Sequence, residues 1–279
     1  MKDFNNKVAV ITGAGGGIGR AMALNLAGQG CHLALVDLNP EGLAETAAQL
    51  EKFGVNVSQH VANVTDRSRM EALPEEVLAE HGKVNLLMNN AGITIQKSFE
   101  DMSLEEWELV IGINIWGVIY GSKAFLPALK KAAAEGEDNA HIINMSSLAG
   151  FLGIPNQSSY SATKAAVKGI SEALWGELKV FGIGVTTVHP GAIRTNIMRA
   201  HMDKAGNTEK ATAIADKVEK FAMPVEVGVE KILKAVRKNK LRAVVGKDAH
   251  AVELLKRFLP SGIHKPFARM FAKEQAERQ

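Results

Sequence analysis

This chain of 279 residues contains a single cysteine, Cys31. A disulfide needs two, so no internal disulfide framework is possible, and a zinc centre built on several thiolates is excluded. No uninterrupted apolar run approaches the ~20 residues of a bilayer-spanning helix. The opening residues, Met1-Lys2-Asp3-Phe4-Asn5-Asn6-Lys7, lack the long apolar segment of a secretion signal. These absences set the expectation of a cytoplasmic protein with no transmembrane segment. Eight histidines are present, but His60, His81, His141, His189, His201, His250 and His264 show no metal-ligand spacing, and His32 sits in an apolar strand pattern. Each reads as structural or surface, and no metal site is expected.

Apolar residues make up 46% and charged residues 23% of the chain, enough to bury a sizeable core in one large domain or two smaller ones. The net charge of +3 is small, but it is unevenly spread. From Glu230 to Gln279 there are 13 Lys/Arg and 5 Asp/Glu, a balance of +8; the other 229 residues carry 20 and 25, a balance of −5. A basic terminal segment can attract anionic lipid, nucleic acid or an acidic ligand, or it can be a solvated helix face. It lacks the clustered aromatics that stack bases, so nucleic acid is not expected as a partner. A weak membrane-surface contact stays open.

Apolar strand patterns alternate with helical ones from the start. Strands are predicted at Lys7–Thr12, Cys31–Asp37, Val55–His60, Val84–Asn89, Ala140–Ser146, Gly184–His189 and Arg242–Val245. Helices are predicted between them at Gly17–Gln29, Pro40–Phe53, Asp66–Glu80, within Ser103–Lys131, at Ser158–Phe181 and after Pro224. Asn39 before Pro40 reads as an N-cap, and Ser103 with Glu106 as a capping box. This rhythm implies an α/β fold, a Rossmann-type doubly wound parallel sheet of about seven strands in a single domain with a helical C-terminal extension. The domain is placed at 1–246 and the extension at 247–279. The stretch 192–223 breaks the rhythm and reads as a substrate lid. In the extension, Leu254, Leu255, Phe258 and Leu259 fall on one face of a helix ended by Pro260-Ser261-Gly262.

Thr12-Gly13-Ala14-Gly15-Gly16-Gly17-Ile18-Gly19 joins the first strand to the first helix. A pyrophosphate group needs backbone N–H donors at a helix N-terminus and no side chains in its path. The GxGxxG dinucleotide fingerprint fits in no register; Gly13, Gly17 and Gly19 are spaced GxxxGxG instead. Asp37 ends the second strand, 20 residues after Gly17, where a carboxylate would meet the adenosine ribose hydroxyls. Its charge repels a 2′-phosphate, and neither Gly16 nor Leu38 offers a cation to bind one. NAD is therefore the expected cofactor, rather than NADP.

Tyr160 and Lys164 are four apart at the start of a predicted helix and share a face. A free tyrosine is a poor base at neutral pH, but a nearby ammonium favours its phenolate, and the pair can then exchange a proton with an alcohol or ketone. Such a pair alone is weak evidence. Ser147 strengthens it, because it lies just beyond the fifth strand, at the sheet end where α/β folds bind ligands. Ser146 adjoins it, but the thirteen-residue offset to Tyr160 favours Ser147.

With these residues in order, the chain resembles the short-chain dehydrogenase/reductase family over about Lys7 to Thr195. The motifs are Thr12–Gly19, Asn89-Asn90-Ala91-Gly92, Asn114, Ser147, Tyr160-x-x-x-Lys164, and Pro190-Gly191 with Thr195. The resemblance implies that Gly13, Gly17, Ile18 and Gly19 form the pyrophosphate turn. It assigns adenine to Asn63 and Val64. Asn90, Ala91 and Gly92 would line the fourth strand beside the cofactor, and Pro190, Ile193 and Thr195 would hold the nicotinamide carboxamide. Ser147 would bind the substrate oxygen, and Tyr160 would be the acid/base. Lys164 would bind the nicotinamide ribose and lower the tyrosine pKa. Asn114 would kink the long helix and hold a water linking Lys164 to solvent. The family usually has Asp where this chain has Asn63; an amide oxygen can still accept from the adenine amino group.

The expected activity is NAD-dependent interconversion of a secondary alcohol and its ketone by hydride transfer. Phe151, Leu152, Ile154, Ile197 and Met198 are apolar candidates for the pocket wall, which suits a hydrophobic alcohol, though some of them would pack the core instead. The alternatives are an NADPH-dependent ketoreductase of acyl-type substrates and a catalytically silent NAD-binding regulatory protein on the same fold. The resemblance also implies a homodimer or homotetramer through helices Ser103–Lys131 and Ser158–Phe181.

Overall fold

The computed structural model describes residues 1–136, 138–194 and 222–276. Seven strands form one sheet in the order β3-β2-β1-β4-β5-β6-β7, and every pairing is parallel. They are β1 Val8–Thr12, β2 His32–Asp37, β3 Val57–Val61, β4 Leu86–Asn89, β5 Ala140–Met145, β6 Ile183–Pro190 and β7 Arg242–Val245. The order reverses between β1 and β4, so a crevice opens there beyond the strands' C-terminal ends.

The strands alternate faces, and each face carries its own core. Ala9, Ile11, Leu33, Leu35 and Met88 pack with Met22 and Leu26 of α1 (Gly17–Ala27) and Leu43 of α2 (Pro40–Leu50). Val10, Val36, Leu87, Ile142 and Val185 pack with Leu73 of α3 (Arg67–His81) and with Phe125 and Leu129 of α5 (Gly117–Ala134). Both caps read from sequence form. Asn39 accepts from the N–H groups of Glu41 and Gly42, and Ser103 and Glu106 make the reciprocal box at the start of α4 (Leu104–Ile111).

The segment 103–131 is not one regular helix. A five-residue π turn, Gly112–Trp116, separates α4 from α5. Its widened turn leaves Asn114 fully buried and facing the sheet's C-terminal edge. Inserted turns of this kind recur at functional sites. Taken together, Leu104–Ala134 is long and apolar enough to cross a bilayer by length and composition alone. Here its apolar face supplies Phe125 and Leu129 to the core of the sheet.

Between β5 and β6, α6 spans Ser158–Leu178. Beyond the loop, α7 (Val225–Arg237) covers the first core through Val229, Ile232, Leu233 and Val236. The extension forms two helices, α8 (Lys247–Phe258) and α9 (His264–Ala276), rather than one. Leu254, Leu255, Phe258 and Leu259 are exposed on α8 and its C-terminal end. Most of the expected lid, 195–221, lies outside the described residues, with Thr195, Ile197 and Met198.

Two histidines are completely buried in the sheet, His141 on β5 and His189 on β6. Burial lowers their pKa values, to about 3 for His141 and about 4 for His189. Both stay neutral in the folded chain while the unfolded chain takes up protons below about 6.5. Their contribution is therefore intact above pH 6.5 and is lost as pH falls. Between pH 6.5 and 5, before carboxylates titrate, they should together remove roughly 2–4 kcal/mol and lower the melting temperature by about 5 °C or more. A melting temperature that is flat over this window, followed by circular dichroism, would contradict this.

Candidate active site

The crevice between β1 and β4 is closed below by a hydrogen-bonded knot. Thr12 Oγ1 accepts from the N–H groups of Asn90 and Ala91 at 3.0 and 3.1 Å. In return, Asn90 Nδ2 donates to the carbonyls of Thr12 and Gly13 at 2.9 and 3.1 Å. The glycine turn wraps this amide. Gly13 and Gly17 have φ of +68° and +52°, where side chains are strained. A Cβ on Gly13 would stand 2.9 Å from Asn90 Nδ2, and one on Gly19 would collide with the Gly13 carbonyl. Gly16, at the head of α1, has open space instead. No side chain caps α1 and its first turn holds no acidic residue, so Gly17, Ile18 and Gly19 offer their N–H groups to an anion. This cradle fits a pyrophosphate.

Asp37 faces the same turn: Oδ2 accepts from Gly15 N–H at 2.8 Å and Oδ1 from Asn39 N–H at 3.0 Å. Arg20, which no motif singles out, braces the turn from behind. Its guanidinium donates to Gly15 O, Thr46 Oγ1 and Glu45 at 2.5, 2.9 and 2.8 Å. Asn63 behaves differently from expectation. Its amide oxygen already accepts from the N–H and hydroxyl of Thr65, at 3.0 and 2.9 Å, so the acceptor assigned to adenine is largely taken up locally. Val64 is buried against Gly117 at the start of α5.

The catalytic candidates meet at the ends of β4 and β5. Asn114 Oδ1 accepts from Ile93 N–H at 2.9 Å, while Nδ2 donates to Ile93 O at 2.9 Å and Thr163 Oγ1 at 3.0 Å. Thr163 in turn donates to the Tyr160 carbonyl at 2.8 Å. The amide thus ties the β4 loop to the first turn of α6. Gly92 separates it from the lysine: a Cβ there would lie 3.1 Å from Asn114 Oδ1 and 3.2 Å from Lys164 Nζ.

Lys164 is buried. Its Nζ donates to Met145 O at 2.8 Å and lies 5.5 Å from the centre of the Tyr160 ring. Burial lowers its pKa to about 8. Burial raises that of Tyr160 above 10, and a hydrogen bond from Ser147 opposes the rise. In this arrangement the group that opposes the rise at Tyr160 is Ser147. Both groups are desolvated together, and the ammonium spends its directed bond on a carbonyl. Ser146 is distinguished from Ser147 by direction, since its hydroxyl donates into the helix, to Lys164 O at 2.7 Å. Ser147 heads a short 3-10 turn, Leu148–Gly150, and its hydroxyl accepts from Ala149 N–H.

With the glycine cradle, an acidic β2 end and a Ser–Tyr–Lys group in one crevice, comparison with known proteins is decisive. The family model for short chain dehydrogenases matches residues 7–206. The chain belongs to the short-chain dehydrogenase/reductase family. It is 38% identical to the oxidoreductase SadH of Mycobacterium tuberculosis, over 98% of each chain. It is 37% identical to the cyclohexanol dehydrogenase of an Acinetobacter species, over 70% of this chain and 76% of that one. A short-chain dehydrogenase/reductase from Burkholderia phymatum, solved with NAD, superposes with a TM-score of 0.81 at 30% identity, covering 92% of this chain and 95% of that one. The chain is thus an oxidoreductase of this family.

Two supports were not legible in the sequence. His189 donates through Nδ1 to the Ser147 carbonyl, 3.1 Å away, and stacks on Phe151 at 4.3 Å between ring centres. Phe151 also lies under Arg242, so it is a packed ring rather than a free pocket wall; Leu152 is buried as well. Asp248, in the first turn of α8, accepts from Ala192 N–H at 2.7 Å. Any Cβ on Gly191 or Gly246 would strike its carboxylate, so two glycines make room for one acceptor. This pins the loop after Pro190, whose Ile193 bridges to Met223. Asp248→Ala should raise KM for the nicotinamide cofactor about five- to tenfold, a loss of ~1 kcal/mol for one hydrogen bond, with Asp248→Asn milder. Unchanged KM in both variants would remove Asp248 from the site.

Proposed function

We propose that this chain is an NAD-dependent dehydrogenase interconverting a hydrophobic secondary alcohol and its ketone. One observation carries the reaction type: Ser147, Tyr160 and Lys164 converge beside the glycine cradle, at the single crevice of the sheet. Bound nicotinamide would accept or return hydride there. Tyr160 Oη then takes the hydroxyl proton of the alcohol, or gives one to the ketone oxygen. Ser147 Oγ steadies that oxygen by donating to it. Below its pKa of about 8, Lys164 carries positive charge under the ring where phenolate charge develops, and Asn114 fixes the loop beside it. Residues Pro190, Ile193 and Thr195 would orient the nicotinamide, Gly13 to Gly19 its pyrophosphate and Asn90 to Gly92 its flank.

The choice of NAD over NADP rests on charge. Asp37 would meet the adenosine ribose, and Arg20, a cation beside the turn, is bound to Glu45, Thr46 and Gly15 O. A 2′-phosphate would meet one carboxylate and a guanidinium already neutralised by another. The alcohol substrate class draws support from the cyclohexanol dehydrogenase relative. The NADPH ketoreductase alternative fits these charges less well, and a silent regulator would have no need of Tyr160 and Lys164. We further propose a homodimer or homotetramer, because Leu104, Leu109 and Trp116 along α4 and the π turn, and Trp175 on α6, are exposed.

The test is reduction of NAD by a panel of secondary alcohols. Turnover should be measurable with cyclic or long-chain alcohols, and NADP should support it at least tenfold less well. Tyr160→Phe should abolish it to below roughly one part in a thousand, the scale of a lost general base. Because deprotonated Tyr160 is the oxidising form and its pKa is raised, kcat/KM for oxidation should climb with pH through the alkaline range, while that for ketone reduction falls. Parallel profiles in both directions would rule out a single tyrosine as acid and base.

A further inference from the structure

Away from the crevice, the outer edge of the sheet carries an unassigned cleft of about 410 Å³ between α7, β7 and α8. Lys231, Lys234, Lys238, Lys240, Arg242 and His250 line it. Lys231 and Lys234 lie at helical spacing on the exposed face of α7, and Lys238 caps its C-terminal end. Only one carboxylate lines the cleft, Glu253, and Arg242 already holds it at 2.8 Å while also binding Glu172 at 2.8 Å. The four lysines have no ion-pair partner among the described residues. The cleft therefore keeps a strong, uncompensated positive charge, part of the +8 balance of residues 230–279.

A second observation, independent of charge, lies on the lip of the same cleft. His250 shares its helical stripe with Leu254 and Phe258, each four residues further on. Leu254, Leu255, Phe258 and Leu259 are 58, 46, 70 and 52% exposed. Four large apolar side chains on one turn and a half of surface helix are costly in water. They belong to a helix whose inner side, through Ala249, is packed on the domain.

We propose that this face docks the protein on an anionic phospholipid surface. Phosphate groups of the lipid would sit in the lysine cleft, and Leu254, Leu255, Phe258 and Leu259 would enter the interfacial layer. An amphipathic helix with a basic flank is the arrangement that binds such surfaces. A second copy of the chain suits the face less well. A two-fold contact here would place lysine clefts against one another, and a separate exposed apolar stripe exists on α4 and α6. The inference does not depend on the dehydrogenase reading.

The test is co-sedimentation of the full chain with vesicles. Neutral phosphatidylcholine vesicles are compared with vesicles carrying about a third of phosphatidylglycerol, at low and at high salt. Binding to the anionic vesicles only, released by salt, is expected. Removing each lysine should weaken it about fivefold, and Lys231→Gln, Lys234→Gln and Lys238→Gln together roughly a hundredfold. Leu254→Ser with Phe258→Ser should weaken it at least tenfold. Circular dichroism and turnover of these surface variants should match the parent chain. No binding to anionic vesicles, or equal binding to neutral ones, overturns the proposal. So does Leu254→Ser with Phe258→Ser splitting an oligomer on size exclusion without changing vesicle binding. Inorganic phosphate binding tightly in the cleft while vesicles do not would assign it to a free anion instead, and also overturns the proposal.

Discussion

The site depends on the reciprocal knot between Thr12 and Asn90. Parallel strands β1 and β4 are neighbours, yet their loops leave in opposite directions at the reversal of strand order, and something must hold the two loop starts together while leaving the crevice above them open. The knot does this with four hydrogen bonds between side chain and backbone. Its consequence for sequence is direct. The Asn90 amide occupies the space where side chains of residues 13 and 19 would be, so the glycine spacing answers to a protein group as much as to a phosphate. From Asn90 the chain of contact runs through Gly92 to Asn114 and Lys164, and from Lys164 through Met145 to the Ser147 turn. Cofactor cradle and proton-transfer group are thus two ends of one buried network.

Such a network is costly unless each polar atom has a partner. Lys164 illustrates the balance. A buried ammonium with one carbonyl acceptor is only partly compensated, which is why burial alone brings its pKa down to about 8. Tyr160 is pushed the other way by the same loss of water. The two shifts move the pKa values apart, so neutral phenol and neutral amine share a pH window above about 8. Each group then responds readily to charge brought beside it.

Much of this was legible in the sequence. Strand and helix order, both N-caps and the crevice position follow from apolar periodicity and from Asn39, Ser103 and Glu106, because these are local or strictly periodic signals. The glycine turn, Asp37 and the Ser147, Tyr160 and Lys164 group were legible because parallel α/β topology sends their flanking strands to one edge. What was not legible is contact between segments far apart in the chain. Arg20 reaching Glu45, Asn63 turning onto Thr65, His189 holding the Ser147 carbonyl and Asp248 holding Ala192 all depend on where loops come to rest. No spacing in the sequence relates residue 191 to residue 248. The π turn at Asn114 was legible only through family resemblance; periodicity alone reads the segment as one helix.

Asp248 also changes the standing of the C-terminal segment. The expectation places 247–279 as a helical extension of the same domain, and the first turn of α8 supplies an acceptor to the loop that follows Pro190. The glycines at 191 and 246 have no room for side chains because of that carboxylate. One helix of twelve residues therefore has an inner end fixed to the rim of the crevice and an outer face of exposed leucines and phenylalanine. Its inner end is held by a charge-assisted hydrogen bond, among the stronger kinds. The segment after β7 thus supplies part of the site's scaffold.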